Sequence, residues 1–258
     1  MTTIQLNKKT YSVPTTWNEL TAKQVVKVVD LLSRETDVHE GYLRLLKILT
    51  GMSWWRFINT KAERFADFFY LVEFLVKENT LTKNLLPKYR GFVGAADDFE
   101  NLLMCEFAYT EDFFLRWKED ETNETLLNQL VAVLYRKPKR FYNERTNKDG
   151  DARQPFNEYL SRYHAGAAIG SWPLKTKRAI AVWYDGCRTK MMKDFPNVFN
   201  GSGGEPAKYG LVSIMRNVAE KGVHGNFKEV EKLHVRMVML ELDEMMTEVQ
   251  KIKQQSNG

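Results

Sequence analysis

From Val235 to Ile252 apolar residues recur at steps of 3, 4, 3, 4 and 3: Val235, Val238, Leu242, Met245, Val249 and Ile252. That spacing puts all six on one side of an α-helix. Met239 and Met246 widen the stripe by one position. A narrow seam specifies a coiled coil, whereas this wider face needs a globular core to lie on. A helix over about Leu233 to Lys253 therefore implies other helices to pack against, and the expected fold class is mainly α, a multi-helix globular bundle. The same segment carries Met237, Met239, Met245 and Met246. Thioether side chains adapt to varied partners, so these four are candidate partner-binding residues; the plainer reading assigns the stripe to the protein's own core.

The upstream sequence supplies the expected helices. In "TIQLNKKTYSVP", Ile4 and Leu6, then Tyr11 and Val13, alternate with polar residues, which predicts an N-terminal β-hairpin. Thr21 and Gln24 have capping-box spacing ahead of a valine-rich helix. A second helix is expected over Glu40–Thr50, stopped by Gly51. "SWWRFI" reads as an aromatic turn or short helix, and Ala62 to Lys77 as a helix with its rings at three-four spacing. Pro87, Gly91 and Gly94 break the pattern, and a second small hairpin is expected near 84–94. Helices follow over Leu102–Glu119, Glu124–Tyr135, Asn157–Ala167, Ser171–Lys193 and Tyr209–Ala219. "NGSGGEP" at 200–206 reads as a flexible linker within one helical domain spanning 1–258.

Chemistry is harder to find. The sequence contains no phosphate-gripping glycine loop, no G-x-S-x-G and no H-E-x-x-H. His39, His164, His224 and His234 are scattered, and Cys105 and Cys187 are too few for a disulfide framework or a metal set. The expectation is a protein with no catalytic site, no metal and no cofactor. No apolar run reaches the roughly 20 residues of a membrane-spanning helix, and "MTTIQLNKKTYSVP" lacks the apolar run of a signal peptide. A cytoplasmic protein without a membrane partner is expected.

The net charge is +5, but the segment Leu134–Arg153 holds seven basic and three acidic residues, hence four of those five charges. One basic loop at about 138–153, rather than a basic face, is the electrostatic feature. Arg136, Lys137, Lys139 and Arg140 interleave with Phe141 and Tyr142, a pattern suited to phosphate contact with base stacking, so these four cations are candidate nucleic-acid ligands. The competing reading is a solvated loop whose first cations complement a helix C-terminus. "RTNKDGD" does not make a calcium loop: the EF-hand register would put Arg145 first and Phe156 twelfth, and neither can ligate calcium. Asp149-Gly150 reads as a turn.

Several segments together carry a family resemblance: "YSVPTTWNELTAKQ", "FENLLMCEFAYTEDFF", "LVAVLYRKPKR", "GDARQPFNEYL", "LKTKRAIAVWYDGCRTKMMKDFPNVF" and "YGLVSIMRNVAEKGVHGNFKEVEKL". With these the chain resembles a group of tailed-bacteriophage and prophage proteins encoded near the tail tape-measure protein. The resemblance implies a non-enzymatic tail-assembly chaperone without a cofactor, binding the tape-measure or another tail protein in the host bacterial cytoplasm. Two alternatives are a minor structural protein retained in the virion and a nucleic-acid-binding protein using the 136–153 segment. The resemblance implies no catalytic residues. It makes "LVAVLYR" and "RQPFNEYL" recurring flanks around a variable loop.

Overall fold

The structure is a computed structural model. It describes every residue except 7, 35–36, 62, 144, 146, 148–149, 200–210, 221, 223 and 257–258, with backbone alone at 211–214, 217, 249–250 and 252–256. The fold is mainly α, 61% helical, with two small antiparallel hairpins. Its segments form two interleaved compact units, Met1–Leu86 with Trp172–Cys187 and Pro87–Ser171 with Arg188–Gly258. The linker predicted at 200–206 lies outside the described residues.

The first unit opens with β1 (Thr2–Leu6) and β2 (Lys9–Val13), paired so that Ile4 faces Tyr11. The alternation in the sequence is realised: within the two strands Ile4, Leu6, Tyr11 and Val13 are buried and the residues between them are exposed. α1 (Ala22–Leu32) begins at Thr21, whose side chain accepts from Gln24 N while the Gln24 side chain accepts from Thr21 N, completing the predicted capping box. α2 (Val38–Thr50) stops at Gly51, where φ is +62°, a conformation that suits glycine. α3 (Trp54–Ile58) is one turn long.

The continuous helix expected over Ala62–Lys77 is not formed. The chain instead makes α4 (Glu63–Ala66), a 3-10 turn over Phe69–Val72, and α5 (Phe74–Lys77). Aromatic and β-branched residues lower helix propensity here. Leu71 and Val72 are buried there, and Tyr70 and Val76 are exposed.

In the second unit β3 (Lys88–Tyr89) and β4 (Phe92–Val93) form the small hairpin. Arg90 and Gly91 both have positive φ, as a type I′ turn requires. α6 (Met104–Glu119) and α8 (Glu158–Ala167) both pack against α7 (Glu124–Leu134). α7 is buried along almost its whole length from Leu126, as expected of a helix apolar on every side. α9 (Leu174–Asp194) contributes its residues up to Cys187 to the first unit and those from Arg188 to the second. α10 (Pro196–Phe199), α11 (Leu211–Glu220), α12 (Phe227–Val230) and α13 (Val235–Ser256) complete the second unit. α13 buries Val235, Val238, Met239 and Leu242, the face its spacing predicts.

Two sets of contacts anchor the segments that carry the family-like motifs. In the first unit, a methyl group added at Gly186 would lie 2.3 Å from the Leu81 carbonyl oxygen, so only glycine allows this approach. Trp183 Nε1 donates to Thr82 O at 3.0 Å, and Asn79 Nδ2 to Val182 O at 2.6 Å. In the second unit, Glu106 is buried at the centre of an ion cluster with Arg136, Arg153 and Asp151. Glu106, Arg136 and Arg153 come from three separate motifs: "FENLLMCEF", "LVAVLYR" and "ARQPFNEYL".

Candidate protein-binding site

The predicted basic patch does not form one surface. The Arg136 backbone pairs with β4, donating to Val93 O at 3.0 Å and accepting from Val93 N at 2.8 Å. Its guanidinium is turned inward onto Glu106 and, at 3.2 Å, onto Asp151 Oδ2. Arg153, only 1% exposed, donates to Glu106 Oε2 at 3.0 Å, Asp151 Oδ1 at 2.9 Å and the carbonyl of Leu134 at 3.1 Å. Burial, then the like charge of Arg153, lowers the Arg136 pKa. Burial opposes the charge on Arg153 too, but Glu106 and Asp151 outweigh it and raise that pKa. Both guanidiniums stay charged, because arginine does not deprotonate in proteins. Arg136 is thus corrected from surface ligand to buried structural cation: a nucleic-acid phosphate cannot reach it without opening the core.

The remaining cations diverge. Lys137 Nζ sits 4.1 Å from the Phe92 ring centroid, a cation–π contact within the unit. Lys139 is half-buried at the loop neck, its N–H donating to Ala152 O at 2.8 Å. Arg140 is exposed beside the 85% exposed Phe141. The neck is closed by Gln154 N donating to Lys137 O and by a bridge between Pro138 and Arg153. Asp149, of the predicted Asp149-Gly150 turn, lies outside the described residues.

The four methionines do not make a shared groove either. Met239 is buried in the core, Met245 and Met246 are half-buried, and Met237 is exposed on another side of α13. Residues 237 and 239 lie about 200° apart around a helix, so they cannot face one partner together.

α3 presents a surface with binding character. Phe57 anchors it, its ring 5.3 Å from that of the buried Phe65. Successive helical residues point about 100° apart, so the tryptophans beside that anchor emerge on different sides. Trp54 is 58% exposed and Trp55 74%, with Ile58 at 48%. Aromatic residues exposed together are costly in water and mark contact surfaces.

A groove flanks each tryptophan. That on the Trp54 side has a volume of about 630 Å³. From α1 and the turn after it come Lys27, Asp30, Leu31 and Arg34; from α2 come Glu40, Leu43, Arg44, Lys47 and Ile48. Each set has the three-four spacing of one helix face. Leu31, Leu43, Ile48 and Phe57 are half-buried and form its apolar floor. Among the described residues, the Trp55 groove, about 550 Å³, has Tyr11 and Trp55 as its rings and Lys8, Lys9 and Arg56 as its charged residues, with no acid. The sequence signal was the adjacent pair in "SWWRFI": consecutive large rings on a helix cannot both enter one core.

Among the described residues no group of three or more His, Cys, Asp and Glu side chains is placed to hold a metal ion, and no helix is long and apolar enough to cross a membrane. Comparison with family models, curated proteins and solved structures finds no match.

Proposed function

We propose that this protein is a phage tail-assembly factor, a non-enzymatic chaperone that binds the tape-measure or another tail protein in the host cytoplasm. The tail-assembly part of this reading rests on the motif resemblance. The binding part is carried by one observation: Trp54, Trp55 and Ile58 are presented to solvent on a one-turn helix between two grooves. A tape-measure protein is a long helical chain with extensive apolar surface, and a chaperone for it has to cover such surface transiently. Rigid aromatic side chains do this with little loss of conformational entropy.

Co-expression with the tape-measure protein of the same phage or prophage tests the reading. The expected result is a soluble complex and a rise in the soluble fraction of the tape-measure protein. A tape-measure protein that stays insoluble and does not co-purify overturns it. Mass spectrometry of purified particles then separates a chaperone, absent from them, from a tail component, present in them.

A further inference from the structure

We infer that the groove beside Trp54 takes an acidic amphipathic helix from another protein, laid between α1 and α2 with its apolar side on Leu31, Leu43, Ile48 and Trp54. This rests on the reading of α3 as the partner-binding surface and adds the chemistry of what binds there.

The shape of the lining argues for a helix. Lys27, Asp30, Leu31 and Arg34 step by 3, 1 and 3 along one side, and Glu40, Leu43, Arg44, Lys47 and Ile48 step by 3, 1, 3 and 1 along the other. Two neighbouring helices showing one stripe each leave a channel into which the ridge of a third helix fits. Residues 40 to 48 span about 12 Å along the α2 axis, so two to three turns of the occupant are engaged. The inner sides of α1 and α2 are already used: Val25, Val28 and Val29, and Leu45, Leu46 and Leu49, are buried. Leu31 and Leu43 therefore form a second apolar face.

The sign of the charge selects among helices. Among the described residues, four cations and two acids line the groove. Both acids are neutralised along their own segment: Asp30 pairs with Arg34 at 2.7 Å and Glu40 with Arg44 at 2.5 Å. Lys27 and Lys47 remain as the surplus. Lys47 Nζ lies 4.3 Å from the Trp54 ring centroid, which places a positive charge at the mouth of the groove beside its main aromatic wall. The neighbouring groove adds Lys8, Lys9 and Arg56, with no acid among the described residues. A partner with carboxylates flanking its apolar stripe is complementary to this arrangement, and a basic one is repelled. A lipid surface is flat and a single strand of nucleic acid is read by stacking along a basic track; a floor of aliphatic side chains in a two-helix channel fits neither as well.

The test uses the full chain and three fluorescein-labelled synthetic peptides of about 18 residues, long enough for marginal helicity. One has Leu at i, i+3, i+4 and i+7 repeats with Glu between them, one has Lys in place of Glu, and one keeps Glu but has Ser in place of Leu. Fluorescence anisotropy is expected to show saturable, salt-sensitive binding of the first, with the second and third at least about tenfold weaker. Trp54→Ala should weaken the first by about thirtyfold, as loss of a hot-spot aromatic does. Lys27→Glu, at an exposed position, should weaken it about three- to tenfold and strengthen the Lys peptide. Equal or tighter binding of the Lys peptide, undiminished binding of the Ser peptide, or no effect of either substitution overturns the inference. So does tighter binding of phosphatidylserine vesicles or oligo-dT than of the acidic peptide. A tape-measure complex that survives Trp54→Ala and Lys27→Glu sinks the groove assignment alone. Peptide binding without any tape-measure complex sinks the tail-assembly reading alone.

Discussion

Replacing Glu106 by Gln keeps the volume of the side chain and removes the charge at the centre of the second unit. Glu106 and Arg153 are both without side-chain exposure, and Arg136 is 8% exposed. Glu106 accepts from both guanidiniums, so the substitution leaves two buried cations with Asp151 as the remaining carboxylate of the cluster. Breaking a buried pair by removing one partner costs about 3–5 kcal/mol, because the surviving charge has lost its solvation twice over. Glu106→Gln belongs in that range, since an amide still accepts one hydrogen bond but neutralises neither arginine. With a urea slope near 3 kcal/mol per molar, the midpoint should fall by about 1–2 M. Urea unfolding followed by far-UV circular dichroism measures it. Asp112→Asn is the control: its pair with Arg116 lies on the surface of the same helix, both side chains more than half exposed, and its loss should shift stability by less than about 0.5 kcal/mol. A Glu106→Gln shift no larger than the control's would refute the claim that the three motifs are held together by this buried charge.

Gly186→Ala should destabilise the first unit by about 1–3 kcal/mol or more, because the new methyl meets the Leu81 backbone and not a side chain that can swing away; thermal melting measures it. The His164 pKa is lowered by burial and by the Lys137 cation, so the unfolded chain binds its proton more readily than the folded one. The stability this histidine contributes is complete above its ordinary value of 6.5 and falls as pH drops below it; His164→Gln should flatten that part of the stability–pH profile. Burial, followed by the nearby Glu106 charge, pushes the Cys105 thiol up to about 12, and Cys187 is buried. Both thiols should therefore react slowly with iodoacetamide at pH 8 in the native protein and quickly in denaturant, as mass spectrometry of the alkylated chain will show.

Local features were legible in the sequence and long-range ones were not. The Thr21–Gln24 box, the Gly51 stop and the N-terminal alternation depend on residues a few positions apart, and each forms as predicted. The expected helix over Ala62–Lys77 failed because its ring spacing fits a helix while its aromatic and β-branched residues have low helix propensity, and the chain breaks into short turns. Arg136 reads as one of four clustered cations; its carboxylate partners Glu106 and Asp151 lie 30 positions upstream and 15 downstream, so its immediate neighbours in the chain do not reveal that it is buried. The methionine set divides because a helix turns Met237 and Met239 to opposite sides. The tryptophan pair was visible as an aromatic turn or short helix, but nothing local shows that Phe57 takes the inward place on Phe65 and leaves both tryptophans outside. The segments that carry the motif resemblance contain Glu106, Arg136 and Arg153, which pack within the second unit, and Gly186, which packs within the first, and do not include α3.

Hydrogen–deuterium exchange, with and without the tape-measure protein, tests the proposal that this protein binds it through α3. Slowed exchange is expected in α3 and along α1 and α2, with the 138–153 loop unchanged. Protection confined to that loop or to α13, with Trp54–Ile58 exchanging as in the free protein, would contradict it.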